Sequence, residues 1–298
     1  MTRTGRRAAR FATFAYFTLN GFGIGLWVVH IPDIEAATGI SHSALGGLLF
    51  LLGGAAFAGM QLAGPLADRI GQRRLVPAAG VLNGVTLLAP GLADSWWQLA
   101  ITLIVFGFSN GALDVAMNSH AVVVERAYPR PIMAAFHAMW SVGGAMAAAV
   151  GALVLAADVR PAVSLGAGGA LIAVVAVLAG RMLWDADRPD TGPQPTDGGA
   201  GDGGAGDGGG GPAAVAPRRL VWWLGGLAFA LMLAEGVAND WAALHLRDTF
   251  QATASTAALA YGAFAVAMTV GRFGADRVAG RLGPAAIVRY GAALAALG

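Results

Sequence analysis

Eight long apolar runs alternate with short polar segments along the chain, at about 11–31, 43–66, 75–93, 97–122, 133–157, 161–184, 220–245 and 254–275. A transmembrane helix needs roughly 17–25 mostly apolar residues, so each run predicts one span. A ninth run begins near Pro284 and stops at Gly298, too short to cross. A half-length helix leaves backbone polar groups unsatisfied in lipid, so the expectation is a piece of a longer protein. Between spans six and seven, Thr191 to Pro217 is a Gly/Asp/Pro/Ala tract with almost no apolar bulk. Such a composition predicts a flexible, disordered linker. The division expected is a six-helix half over 1–190, a cytoplasmic linker over 191–219, and a partial second half over 220–298.

Composition agrees with a polytopic membrane protein. Mean hydropathy is +0.63 and only 12% of residues are charged. There is no cysteine, hence no disulfide framework and no thiolate metal site. All 19 basic residues are arginines, and their placement says more than the net charge of +2. With alternating spans, all but Arg160 and Arg247 fall on the face that carries the N-terminus. The positive-inside bias makes that face cytoplasmic, in a bacterial inner membrane. The basic start leads into a run too long for a signal-peptide core, so the first helix is expected to be retained.

One loop pattern occurs twice. Gly64-Pro-Leu-Ala-Asp68-Arg69-Ile-Gly71-Gln-Arg73-Arg74 follows span two, and Gly271-Arg-Phe-Gly274-Ala-Asp276-Arg277-Val-Ala-Gly280-Arg281 follows span eight. Recurrence at matching places marks a duplicated bundle, an architecture of secondary transporters. Gly64 allows close helix approach and Gly71 a tight turn. Asp68 has the chemistry to accept from a helix N-terminus or pair with an arginine. Arg73 and Arg74 suit an anionic inner leaflet.

The first copy resembles the signature between helices two and three of the major facilitator superfamily, G-x-L-A-D-R-x-G-x-R-R. Gly64, Leu66, Ala67, Asp68, Arg69, Gly71, Arg73 and Arg74 carry the likeness. The second copy keeps Gly274, Asp276, Arg277 and Arg281. The resemblance implies an all-α fold of two six-helix halves with alternating access, here with the second half incomplete. It also implies a gating role for this loop, Asp68 and Asp276 above all.

Polar residues inside spans supply the candidate chemistry. In span four, Asn110, Asp114 and Asn118 are spaced i, i+4, i+8 and form one stripe. A carboxylate at that depth is costly unless paired, protonated or facing water, and a carboxyl that alternates between neutral and ionised forms is what proton coupling requires. Asp114 with Asn118 resembles helix four of the fucose-type, proton-coupled sugar symporters of the superfamily. Gly111, Asp114, Asn118 and His137 together look like a branch that includes rhizopine-associated membrane proteins. His137 and Ser141 share a face of span five, with a proton relay, an inner gate or simple interfacial packing as readings of His137. Beside them, Gly143, Ala147 and Gly151 form a small-residue ridge for helix packing. Span seven holds Glu235, Asn239 and Asp240, with Glu235 and Asn239 on one face. Asn20 precedes Gly21, Gly23 and Gly25, a pattern expected of a locally irregular, cavity-facing helix. Gln61 and Asn83 read as interhelical hydrogen-bonding groups. Trp27, His30 and Asp33 in span one, and Trp241, His245 and Asp248 in span seven, read as interfacial anchors, with an outer gate as the second reading.

No Walker A pattern, H-E-x-x-H cluster or G-x-S-x-G elbow occurs. ATP-driven transport, a metal or other cofactor, and nucleic-acid binding are therefore not expected, and the partners are a small-molecule substrate, protons and the lipid bilayer. Oligomerisation is not required. The leading reading is a proton-coupled secondary transporter of a small polar solute, with sugar or polyol implied by the resemblance. The alternatives are amphiphile efflux through a cavity lined by Phe14, Phe17, Phe22, Phe106 and Phe108, a membrane enzyme using Asp114 and His137, and a non-transporting remnant.

Overall fold

Local chemistry sets the breaks between helices. In a computed structural model that describes residues 3–128, 132–184 and 218–297, the helices run α1 (Arg3–Thr38), α2 (His42–Ile70), α3 (Gln72–Leu87), α4 (Trp96–Arg126), α5 (Met133–Ala156), α6 (Pro161–Gly180), α7 (Arg218–Phe250), α8 (Ala254–Leu282) and α9 (Pro284–Leu297). The Ser41 hydroxyl accepts from the Ala44 N–H, 3.3 Å away, and caps α2. Gly71 separates α2 from α3 at φ 79° and ψ 148°, a conformation that only glycine adopts without strain. The Glu125 carboxylate accepts from the N–H groups of Ile132 and Met133 at 2.8 and 2.9 Å and so caps the start of α5. The segment Thr191 to Pro217 lies outside the described residues.

Among the described residues, eight helices are long and apolar enough to cross a membrane, and α9, with 14 residues, is not. Phe50, Phe57 and Leu153 point outward at 84%, 61% and 71% exposure. A soluble monomer rarely shows apolar surface of that extent, whereas lipid solvates it. Among the described residues this is an all-α polytopic membrane bundle.

Helix α1 is the centre, packed on α5, α6 and α4, while α2 lies on α4, α3 on α6, and α5 on α8. Without a water-driven hydrophobic term, small residues that let backbones approach hold such a bundle together. The predicted ridge on α5 does this. A Cβ at Gly143 would run into the Thr18 carbonyl oxygen, and one at Gly151 into the Val29 side chain, so α5 sits close on α1. Gly111 of α4 meets the backbone of α2 at Ala56 in the same way.

Several expectations are corrected by this packing. Helix α1 is continuous through Asn20 and the glycines after it, because Gly21 accommodates the Trp140 carbonyl of α5 instead of unwinding the helix. Gly64 has open space where a Cβ would stand, so no close approach depends on it. Trp27 and His30 are buried at 2% and 0% exposure and are core residues, not interfacial anchors. Gln61 is exposed, whereas Asn83 is buried and donates to the Ser109 hydroxyl at 3.5 Å. Of the aromatic set, Phe17, Phe22 and Phe106 are packed in the core.

The buried side chains form two clusters. One, toward the face that bears the α1 N-terminus (here the arginine-rich face), is built from residues 9–183, including Phe17, Leu75, Leu113 and Phe136. The other lies toward the opposite face and adds Leu244, Ala258 and Tyr261 from α7 and α8. The polar residues of the candidate site occupy the seam between them.

Candidate functional site

Asn20 of α1 stands where the two apolar clusters meet. Its carboxamide Nδ2 donates to Asn110 Oδ1 of α4 at 2.8 Å. Its Oδ1 accepts from Trp140 Nε1 of α5, also at 2.8 Å. Three helices thus share one buried amide, and both of its functional ends are used. A buried amide without partners would cost more than these bonds gain, which keeps α1, α4 and α5 in one register.

The network continues into α7 and α8. The Arg272 guanidinium stacks over the Trp140 ring with its carbon 5.6 Å from the centroid, within cation–π range. Nη2 of Arg272 lies 2.9 Å from Glu235 Oε1, and Nη1 donates to Ser141 Oγ and, at 3.4 Å, to the His137 carbonyl. The Arg272 and Glu235 side chains are 24% and 23% exposed. A polar path therefore runs from Asn110 through Asn20, Trp140 and Arg272 to Glu235, crossing from the first six helices to α7 and α8.

One turn and two turns beyond Asn110, Asp114 and Asn118 point into a cavity. Its volume is about 420 Å³, and Asp114, Asn118, Ser119, Met133 and His137 line it. Asn118 Nδ2 donates to the Asp114 carboxylate at 3.1 Å and to its carbonyl at 2.9 Å. Asp114 has no cation within salt-bridge distance among the described residues, unlike Glu235. His137 is exposed at the mouth, its ring edge-on to Phe17 with centroids 5.2 Å apart. The structure thus brings Asn20 and Asn110 together, Asp114, Asn118 and His137 together, and joins Glu235 to the first group. Asn239 is half-buried one turn beyond Glu235.

The loop residues form a separate place. Asp68, Arg69, Gly71, Arg73, Arg74 and Arg181 line a cleft of about 710 Å³ between the α2–α3 turn and the end of α6. Asp276 and Arg277 fall within α8, and their side chains lie outside the described residues.

Sequence reasoning missed Arg272, counted with the loop arginines. The signal was present, since the apolar run 254–275 contains it. A cation inside a span must face a partner or a cavity. It also missed the opposite face, where Arg247 of α7 pairs with Asp33 of α1 at 2.9 Å. There His42 lies 2.6 Å from Glu35 and 3.0 Å from Asp248. Asp33 and Asp248 therefore belong to contacts between α1 or α2 and α7.

Comparison with known proteins agrees with this architecture. The family model described as Major Facilitator Superfamily matches residues 12–298. An uncharacterized MFS-type transporter of Yersinia pestis is 32% identical over 95% of this chain and 69% of its own length. An uncharacterized transporter of Sinorhizobium fredii is 34% identical over 92% of this chain and 69% of its own. Membrane protein MosC of Rhizobium meliloti is 27% identical over 100% of this chain and 68% of its own. With eight apolar spans, a twice-used loop pattern and a polar seam bridging two helix sets, the chain belongs to the major facilitator superfamily, whose members point to transport and not to enzymatic catalysis.

Proposed function

We propose that the protein is a proton-coupled secondary transporter of a small polar solute, of the sugar or polyol class. It would work by alternating access in a bacterial inner membrane, with the arginine-rich face cytoplasmic. The observation that carries this reading is the pairing of unlike carboxylates. Asp114 opens onto a cavity with an amide and an imidazole beside it but no cation, while Glu235 is held by Arg272. A carboxyl without a fixed counter-ion is free to exchange its charge for a proton. A carboxylate already paired is suited to join helices and to release them when the pair breaks. Asp114 is therefore assigned the coupling proton, with Asn118 and His137 beside it. Arg272, Glu235, Asn20 and Asn110 are assigned the link between residues 1–190 and 220–298. The loop of Gly64, Asp68, Arg69, Gly71 and Arg73, with Asp276 and Arg277, is assigned the cytoplasmic gate.

Amide and charged groups on the path favour a hydrogen-bonding solute over an amphiphile, and the buried packing of Phe17, Phe22 and Phe106 removes three aromatics from any greasy cavity. The test is uptake into proteoliposomes from a panel of radiolabelled sugars and polyols under an imposed pH gradient. Asp114→Asn is expected to abolish gradient-driven accumulation while solute exchange at equal pH continues. Unchanged gradient-driven accumulation in that variant would remove Asp114 from the coupling role.

A further inference from the structure

We infer that His42 is a second proton-binding site, on the face opposite the arginine-rich one, and that a proton taken there from the medium staples that face shut. His42 is the first residue of α2 and its side chain is 57% exposed. Nδ1 lies 2.6 Å from Glu35 Oε1 near the end of α1. Nε2 lies 3.0 Å from Asp248 Oδ2 near the end of α7. Both ring nitrogens face carboxylate oxygens, which only accept. A neutral imidazole carries a single N–H and satisfies one of them, leaving a lone pair turned toward the other; the imidazolium carries two and satisfies both. The complete contact between α1, α2 and α7 thus requires the protonated ring.

Other charged and aromatic groups stand near His42. Asp33 and Arg247 pair with each other at 2.9 Å. His245 of α7 is exposed and shares a hydrogen bond with Thr249. The Trp241 ring meets His42 edge to face with centroids 6.2 Å apart and does not titrate. A histidine changes charge between about pH 5 and pH 8. The sign follows: the staple is complete in acid medium and loses one of its two bonds as pH rises through the titration of His42. Under it lies Leu244 of α7, 3% exposed, in a groove of about 510 Å³ that Ile40 and His42 also line. This site acts on the access of one face and stands whether or not Asp114 carries the coupling proton.

The absence of cysteine from the chain makes the test direct. Leu244→Cys reports opening beneath the staple, and Ala37→Cys, on the exposed end of α1, corrects for ionisation of the thiol itself. Both are labelled with a maleimide in purified protein at about pH 5.5 and about pH 8. The ratio of the two labelling rates is expected to rise about five-fold with pH, as a partly exposed ionic contact allows. In His42→Gln the ratio should be high at both pH values, and in His42→Arg, a permanent cation, low at both. Should Leu244→Cys not fold, Ile40→Cys, half-buried in the same groove, replaces it. A ratio that does not change with pH, or one whose rise survives in His42→Gln, overturns the proposal.

Discussion

The Arg272 guanidinium lies 2.9 Å from the Glu235 carboxylate and spends its other terminal nitrogen on the Ser141 hydroxyl. A single side chain of α8 thereby joins α7 to α5. Arg272→Gln should leave Glu235 without its cation at a largely buried position. The expected loss is about 1–3 kcal/mol, read as a lower melting temperature in detergent. Glu235→Gln added to it should recover part of that loss, because the stranded charge is removed. A double variant no more stable than Arg272→Gln alone would mean that the pair does not hold these helices.

Two glycines of similar sequence context should respond oppositely to alanine. At Gly111 a Cβ would strike the Ala56 carbonyl of α2, and forcing the helices apart should cost about 1–3 kcal/mol. At Gly64 a Cβ meets open space, and alanine in a helix should be neutral or better by up to about 1 kcal/mol. Thermal unfolding of the two variants side by side checks the contrast; equal destabilisation would contradict the packing described.

On the opposite face, Asp33 and Arg247 are 28% and 35% exposed. Solvent screening limits such a pair to about 0.3–1 kcal/mol. Asp33→Asn and Arg247→Gln should each raise labelling of Leu244→Cys by no more than about five-fold. The charge exchange, Asp33→Arg with Arg247→Asp, should return labelling toward its starting rate. Failure of the exchange to restore protection would show that the contact is not governed by charge.

The start of α5 depends on Glu125, whose carboxylate accepts from Ile132 and Met133. Glu125→Ala should cost about 1–2 kcal/mol, the usual scale of a lost helix cap. Because α5 carries His137, Trp140 and Ser141, transport should fall more steeply than stability. Melting temperature and initial uptake rate, compared in one preparation, would separate the two effects.

Much of the bundle was legible because its signals are local. A run of twenty apolar residues is a span whatever surrounds it, Gly71 marks its turn by conformation alone, and the Gly143–Ala147–Gly151 ridge needs only helical spacing to be seen. Asn110, Asp114 and Asn118 were also visible, since charge and amide groups inside an apolar run demand a reason. Arg272 was misread because its position near a span end is compatible with a loop, and only contact with Glu235, Ser141 and Trp140 distinguishes the two. Asn20 was noticed, but for a helix irregularity that packing against α5 makes unnecessary.

Helix number, membrane residence, the arginine bias between the two faces and the superfamily likeness are carried by composition, period and motif, all properties of short stretches of chain. Which polar groups meet is decided by tertiary structure. The Asn20 carboxamide finds partners 90 and 120 residues away, and Arg272 finds Ser141 131 residues away. A hydrogen bond depends on a separation of a few ångströms and on orientation, and no local pattern encodes either across helices that distant in sequence.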